Sequence, residues 1–375
     1  MRPKRLLNLS TPSGLVEVYR PALEKVVEVG DISVSCEAYG SPASVTGKFR
    51  WVADEIETCL KADWGRYIHS GSSHLISTMI GFLKRTGRKK VLMSEFSHKS
   101  VFEAIADYGL RFGLVPAGYI PEFDAATPPT LQQVEEALRM HRDADAVILT
   151  SPTYDLIEYD GATVRKLADL IHSYGMVFVV DAAWAHPPSL SEILRNGADI
   201  VINSVHKMCG SFQGGSMIGV GLDGVLKEEE LGTLTESWLR HLGTSPSFPI
   251  LLSIGAALEV LRTEQHILEL PRRFTHKLRA LLEKEGIRTL TEDDLPKEVR
   301  GEFRVDEWKL QVQARNGYRV KKLCEERFGL VLEKAGPNHV QLIATFREML
   351  KARDVDELAF AVCRTLAKTC LVTAT

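Results

Sequence analysis

The chain has 375 residues, 45% of them hydrophobic and 25% charged, with a formal net charge of −3. Such a chain buries an ordinary core without staples, and its length admits one large domain plus a smaller one, or two medium ones. The near-balanced charge offers no general attraction to nucleic acid or to an anionic membrane, and no block of like charges forms a tail.

The chain starts "MRPKRLLNLSTPSG", which is basic, but its apolar stretch is too short for a signal peptide. Residues 1–40 show no clear periodicity and are expected to cross over to the smaller domain or to a partner chain. From about residue 50, helices and strands alternate. Helical spacing runs through 51–62 and through "SSHLISTMIGFLKR" (72–85), where Leu75, Ile76, Met79, Ile80 and Leu83 share a face. A strand at 89–95 precedes a helix at 99–109 that closes on a glycine. A helix at 130–140 then leads to a strand at 145–154, and a helix at 161–175 to the β-branched strand 176–184. The series ends with a helix at 189–197 and strands at 198–205 and 214–221.

Strands apolar on both faces and separated by helices indicate an α/β protein with a mainly parallel sheet covered on both sides. Beyond about residue 225 the character changes. Residues 245–285 look helical. A strand at 306–314, a helix at 317–329, a strand at 339–346 and a helix at 354–368 then form a smaller α+β unit. The expected division is an N-terminal segment (1–40), a large domain (41–245), a connecting helical region (246–285) and a small domain (286–375).

The longest apolar stretches, such as "MVFVV" and "ILLSIGAAL", are far short of a membrane span. Six scattered cysteines include no C-x-x-C pair, which argues against a zinc site and a disulfide framework and suits a reducing cytoplasm. No metal is expected.

In open α/β sheets the ligand lies at the carboxyl ends of the strands. Four stretches fall there. "HSGSSH" (69–74) puts a glycine and the hydroxyls of Ser72 and Ser73 at a helix start, as a phosphate cradle does and as an ordinary cap also does. "FSHKS" offers His98, a ring able to stack on a flat ligand. "VVDAAW" ends an apolar strand on Asp181, costly to bury without a cationic partner. "NSVHKMCG" (203–210) carries Lys207, an amine suited to a Schiff base. A phosphate, a flat ring, a ring nitrogen that needs an anion and an aldehyde together describe pyridoxal 5′-phosphate.

These stretches, with "SPTYDLIEYDG", "GADIVINSVHK", "GSFQGGSMI" and "HLGTSPSFPILLSIGAA", resemble the pyridoxal-phosphate enzymes of fold type I, the aspartate aminotransferase fold. Within that group the chain is most similar to the bacterial ornithine/lysine/arginine decarboxylase family. The matching stretches run in family order over about residues 50 to 260, and the small domain matches more loosely. The resemblance implies a seven-stranded-type sheet in the large domain. It implies that Ser72 and Ser73 hold the phosphate with help from Ser204 and His206. His98 would stack on the pyridine ring, Asp181 would keep its nitrogen protonated, and Ala183 would lie beneath it. Lys207 would carry the Schiff base, and Trp184 would help pack the site. Thr244 and Ser245 match a segment that reaches the neighbouring subunit's phosphate, which implies a homodimer with shared active sites. Typical members carry a further C-terminal domain and large ones an N-terminal wing, so the chain reads as a short form.

The expected reaction is decarboxylation of a basic amino acid, with no nucleic-acid or membrane partner. His206 and Lys207 are both candidates to return the proton. Three other readings stay open: an aminotransferase, an oxygen-using oxidase or hydroxylase acting on arginine, and a regulatory protein that binds the cofactor without turnover. Common aminotransferases of this fold clamp the substrate carboxylate with an arginine on a small-domain strand. Here Gln341 falls near that place, with Arg347 close by. Glu37, Tyr39, Asp155 and Glu158 are the residues considered for binding a substrate cation, each with a structural role as the alternative.

Overall fold

Runs of β-branched and aliphatic residues too short for buried helices form the strands of one seven-stranded sheet. The computed structural model describes residues 6–374, with side chains to residue 370. In chain order the strands are β1 (Trp64–Ile68), β2 (Lys90–Ser94), β3 (Arg111–Val115), β4 (Ala146–Thr150), β5 (Val177–Asp181), β6 (Ile200–Asn203) and β7 (Ser216–Val220). Their order across the sheet is β1-β7-β6-β5-β4-β2-β3. Only β7 runs antiparallel to its neighbours β6 and β1. The other adjacent pairs are parallel. Every residue of β2, β5 and β7 is buried, as a sheet covered by helices on both faces requires.

The expected helix over 72–85 forms as Ser72–Arg85 and buries Leu75, Ile76, Met79, Ile80 and Leu83. The expected strands at 89–95, 145–154, 176–184, 198–205 and 214–221 correspond to β2 and β4–β7, each trimmed at its ends. The edge strands β1 and β3 carry weaker patterns. "WGRYI" holds a glycine and an arginine, and "RFGLV" exposes Arg111, Phe112 and Leu114. An edge strand has a neighbour on one side only, so its apolar pattern is less complete.

A second core is built mainly from residues beyond 264. Phe274, Leu278 and Leu282 of the helix His266–Lys284 pack with Leu310, Val312, Val340 and Leu342 of a three-stranded antiparallel sheet. That sheet joins Lys309–Gln313, His339–Ile343 and Lys334–Ala335. Alternation puts Lys309, Gln311, His339 and Gln341 on its other face, and all four are buried. This polar face lies against the larger unit: Gln311 Nε2 donates to the Phe123 carbonyl, and Lys309 Nζ to the Trp184 carbonyl at 2.7 Å. Lys309 also forms a fully buried ion pair with Asp306.

The N-terminal segment crosses to the smaller unit, one of the two destinations its sequence left open. Leu7–Leu9 pairs in parallel with Leu330–Leu332. The chain then runs behind the Lys207 turn, where Ser13 N–H donates to the His206 carbonyl at 3.1 Å and Val16 N–H to that of Gly210 at 3.0 Å. One expected helix ends differently. Residues 317–329 form an α-helix only to Leu323, and a π-turn over Cys324–Phe328 closes it before Gly329 at φ +66°.

Candidate active site

Four of the parallel-running strands and the turn after β1 deliver side chains to one cavity of about 640 Å³ at the carboxyl edge of the sheet. Its lining includes Gly71, Ser72, Ser73, His98, Asp181, Ala183, Ser204, His206 and Lys207. Eight of these nine were expected from the sequence as site residues. Thr244 and Ser245 are exposed and lie outside this lining, in the turn after the helix Leu231–Leu242.

The turn after β1 leaves the sheet at His69, and Gly71 takes φ +90° before the helix Ser72–Arg85. No side chain caps that helix, so its first N–H groups keep no helical acceptor and face the site where Ser72 and Ser73 stand. Ser204, just after β6, donates its hydroxyl to Ser72 Oγ at 2.7 Å. Three hydroxyls and a helix N-terminus thus converge from two elements. The buried hydroxyls of Ser70 beside them and of Thr150 at the end of β4 have no partner within the protein. This donor set suits a phosphate.

His98 caps the helix Lys99–Tyr108: its Nδ1 accepts from Ser100 N–H at 3.3 Å and sits 2.8 Å from Ser100 Oγ. The capping fixes the ring plane at the cavity wall. Burial lowers the pKa of His98, although Asp181 opposes the shift, so the ring is held neutral and flat.

Asp181 ends β5 with 2% of its surface exposed. Its Oδ1 accepts one hydrogen bond, from Ala183 N–H at 3.2 Å. Burial raises its pKa, while Lys207 and the Ala183 N–H pull it down. For Lys207 burial is again the largest influence, lowering its pKa against the pull of Asp181 and Glu333. Desolvation therefore outweighs attraction in both groups, and the carboxylate calls for a closer cation than Lys207 supplies. A protonated ring nitrogen is such a cation. Lys207 Nζ itself lies over the Trp184 ring, 4.5 Å from its centroid. His206 Nδ1 bonds the Gly215 carbonyl at 3.0 Å, which leaves Nε2 to accept or carry a proton. Orphaned hydroxyls, an uncompensated carboxylate and a desolvated amine together fit pyridoxal 5′-phosphate.

Sequence reading missed several lining residues. Ile76, Phe96, Thr150 and Tyr154 complete the wall together with Trp184, which was expected to pack there. Thr150 ends a strand as Asp181 does, so its position was a usable signal. Tyr154 was visible only inside the "SPTYDLIEYDG" stretch, with no role attached. Its ring packs at 5.0 Å from that of Trp184.

The residues considered for a substrate cation are otherwise engaged. Asp155 is ion-paired with Lys334 and also accepts from Ala126 N–H at 3.0 Å. Glu158 takes Arg304 at 2.7 Å. The Tyr39 ring lies under Lys48. Glu37 starts a short 3₁₀ turn and is not buried. Of the residues considered for a carboxylate clamp, Gln341 is buried with its amide unpartnered, and Arg347 gives its guanidinium to Glu17. Glu158, His186 and Asp306 also bring three possible metal-ligand atoms together. Arg304 and Lys309 already neutralise those carboxylates, and His186 stacks on Trp308. A cavity of about 680 Å³ beside Glu158, His186 and Arg304 contains none of the strand-end residues.

The chain is similar to known proteins in sequence and in fold. The family described as Orn/Lys/Arg decarboxylase, major domain, matches residues 24–288. An arginine decarboxylase of Bacillus subtilis is 26% identical over 299 residues, covering 76% of this chain and 58% of that protein. The constitutive lysine decarboxylase of Escherichia coli superposes with a TM-score of 0.69 at 17% identity, over 93% of this chain and 54% of the other. An alanine–glyoxylate aminotransferase from Nostoc superposes at 0.72 with 13% identity, over 98% and 97%. Structural likeness at these identities establishes the fold, that of the fold type I enzymes. The chain spans about half the length of the curated relatives it matches.

Proposed function

The chain belongs to the Orn/Lys/Arg decarboxylase family, and from that premise we propose that it is a pyridoxal 5′-phosphate-dependent decarboxylase of a basic amino acid. The observation that carries the reading is the single cavity where Ser72, Ser73, His98, Asp181, Ser204 and Lys207 meet. When bound, the cofactor supplies an aldehyde for covalent attachment and a protonated ring that takes up the electron pair released as CO₂ departs.

The protein's own residues do the rest. Ser72, Ser73 and Ser204, with the N-terminus of the helix Ser72–Arg85, would hold the phosphate. Asp181 would keep the ring-nitrogen proton in place, a role its burial makes strong, because a carboxylate without water answers the nearest cation. His98 would cover the flat ring, and the small side chain of Ala183 would leave room for it. Lys207 would be the attaching amine, since desolvation increases its neutral, nucleophilic fraction. Lys207 Nζ or His206 Nε2, both on residues lining the cavity, would return a proton to Cα.

Arg347 supports decarboxylation over transamination by its engagement with Glu17, which removes it as a free carboxylate clamp. For Thr244 and Ser245 the reading is a homodimer in which each copy completes the other's phosphate site; their exposure outside this chain's own cavity supports it. Among the described residues no helix is long and apolar enough to cross a membrane. The cysteines form no disulfide there, and the setting proposed from their usage is a reducing cytoplasm.

The test is to incubate the protein and pyridoxal phosphate separately with arginine, lysine and ornithine, under air and without a keto acid, and to weigh the products. A product lighter by one CO₂ with no oxygen consumed is the expected result and names the substrate. Turnover only after a keto acid is added makes the chain an aminotransferase. Oxygen uptake makes it an oxidase.

A further inference from the structure

Asp155 and Glu158 are neutralised by Lys334 and Arg304. Glu333, next in the chain to Lys334, forms no salt bridge among the described residues. Its side chain is half-buried and held by neutral donors only. Oε2 accepts from Thr11 N–H at 2.9 Å and Thr11 Oγ1 at 3.3 Å, and Oε1 accepts from Tyr154 Oη at 3.2 Å. Burial and the Glu333 charge raise the pKa of Tyr154, so the phenol stays protonated as the donor. Two elements fix the backbone at this point: Glu333 N–H donates to Gln341, and Lys321 Nζ caps the Glu333 carbonyl at 2.8 Å.

Glu333 is also close enough to the amine to matter electrostatically. Its charge favours the protonated form of Lys207, next after Asp181 in that respect. Glu333 meets the cavity through Tyr154: the phenol donates to the carboxylate, and the ring lines the wall 5.0 Å from that of Trp184, over which Lys207 Nζ lies. A carboxylate held by neutral donors at the edge of an aromatic wall is an arrangement that receives an organic cation. The faces accept it through their quadrupoles and the carboxylate through a charge-assisted hydrogen bond.

We propose that Glu333, acting with the Tyr154 ring, recognises the distal cation of the substrate side chain and so sets the preference for basic amino acids. The assignment rests on the decarboxylase reading for its substrate class. It differs from that reading in assigning the recognition to one carboxylate outside the catalytic set. Two neighbouring charges, Lys334 next in the chain and the buried Lys309, are already neutralised by Asp155 and Asp306, so they do not cancel Glu333.

The test uses holoenzyme and amines that undergo no decarboxylation. Calorimetric affinities of putrescine, cadaverine and agmatine are compared with those of the uncharged-tail analogues butylamine and pentylamine. Wild type is expected to prefer at least one cationic amine by about tenfold or more, the scale of a charge-assisted contact. Glu333→Gln keeps the shape and the acceptor for Tyr154. It should shrink the ratio to about twofold or less while leaving the uncharged amines unaffected, a split that general loosening of the site would not produce. Glu333→Asp, which keeps the charge, should retain most of the preference, and matching melting temperatures exclude misfolding.

A preference that survives Glu333→Gln overturns the assignment, as does a wild type with no preference. Release of CO₂ is measured separately on the same wild-type preparation. If CO₂ is released but Glu333→Gln still prefers the cationic amine, the assignment falls and the decarboxylase reading stands. If the preference depends on Glu333 but no basic amino acid loses CO₂, the reverse holds.

Discussion

Lys207 and Asp181 carry the heaviest burden of any residues in the site, because each is ionisable and deeply buried. Lys207→Ala should abolish borohydride-stable labelling by pyridoxal phosphate, read by peptide mass spectrometry, together with turnover. Covalent label retained at another lysine would refute the assignment. Asp181→Asn should lower kcat by about 10²–10³, the usual loss when one preorganised charge contact is removed. The same substitution should act in the opposite direction on stability. Burial raises the Asp181 pKa in the fold, so the group favours folding below its unfolded pKa, and that contribution is lost as pH rises through the raised value. Cofactor-free Asp181→Asn should therefore melt above wild type near neutral pH. The gap should close as the pH falls and wild-type Asp181 becomes protonated; a scan of melting temperature against pH reads it directly.

At the scale of elements, the turns after the strands decide where these groups stand. Gly214 adopts φ +94°, and a Cβ there would sit 2.5 Å from the His69 carbonyl oxygen. Its own carbonyl accepts from Gly71 N–H at 2.8 Å, tying the approach to β7 to the turn that presents Ser72 and Ser73. Gly214→Ala adds a forbidden conformation and a backbone clash at once. It should weaken cofactor retention on gel filtration at least about tenfold and lower the melting temperature, although Gly214 is not among the cavity residues. Equal retention by the two proteins would show that the turn tolerates displacement.

Across the whole molecule, the smaller unit's polar sheet face is sealed against the larger unit, and the Lys309–Asp306 pair lies in that seam. Burial works against the Asp306 charge, but Lys309 and His186 hold its carboxyl below the ordinary range. Removing one partner strands a buried charge. Asp306→Asn should thus cost about 3–5 kcal/mol in denaturant unfolding, and replacing both partners by apolar residues of like volume should cost much less. Because Lys309 also bonds the Trp184 carbonyl, the single variant should disturb the cavity wall as well, seen as a change in tryptophan emission. The N-terminal segment ties the same regions from behind, joining Leu330–Leu332 to the His206 and Gly210 carbonyls.

The sequence by itself determined the interior strands, the helix Ser72–Arg85 and the strand-end residues, including Lys207, Asp181 and His98. These follow from local chemistry: apolar runs are bounded by turns, and residues just beyond such runs fall at the carboxyl edge of a parallel sheet. Tertiary structure alone decided what depends on neighbours distant in the chain. β1 becomes a strand because β7 lies beside it, although its own residues read weakly. The π-turn at Cys324–Phe328 reflects how that helix must end against its surroundings. Asp155 and Glu333 are both acidic residues beside a lysine or a tyrosine in sequence. Only folding gives Lys334 to Asp155 and leaves Glu333 with neutral donors, because salt bridges are made across contacts that no local pattern encodes.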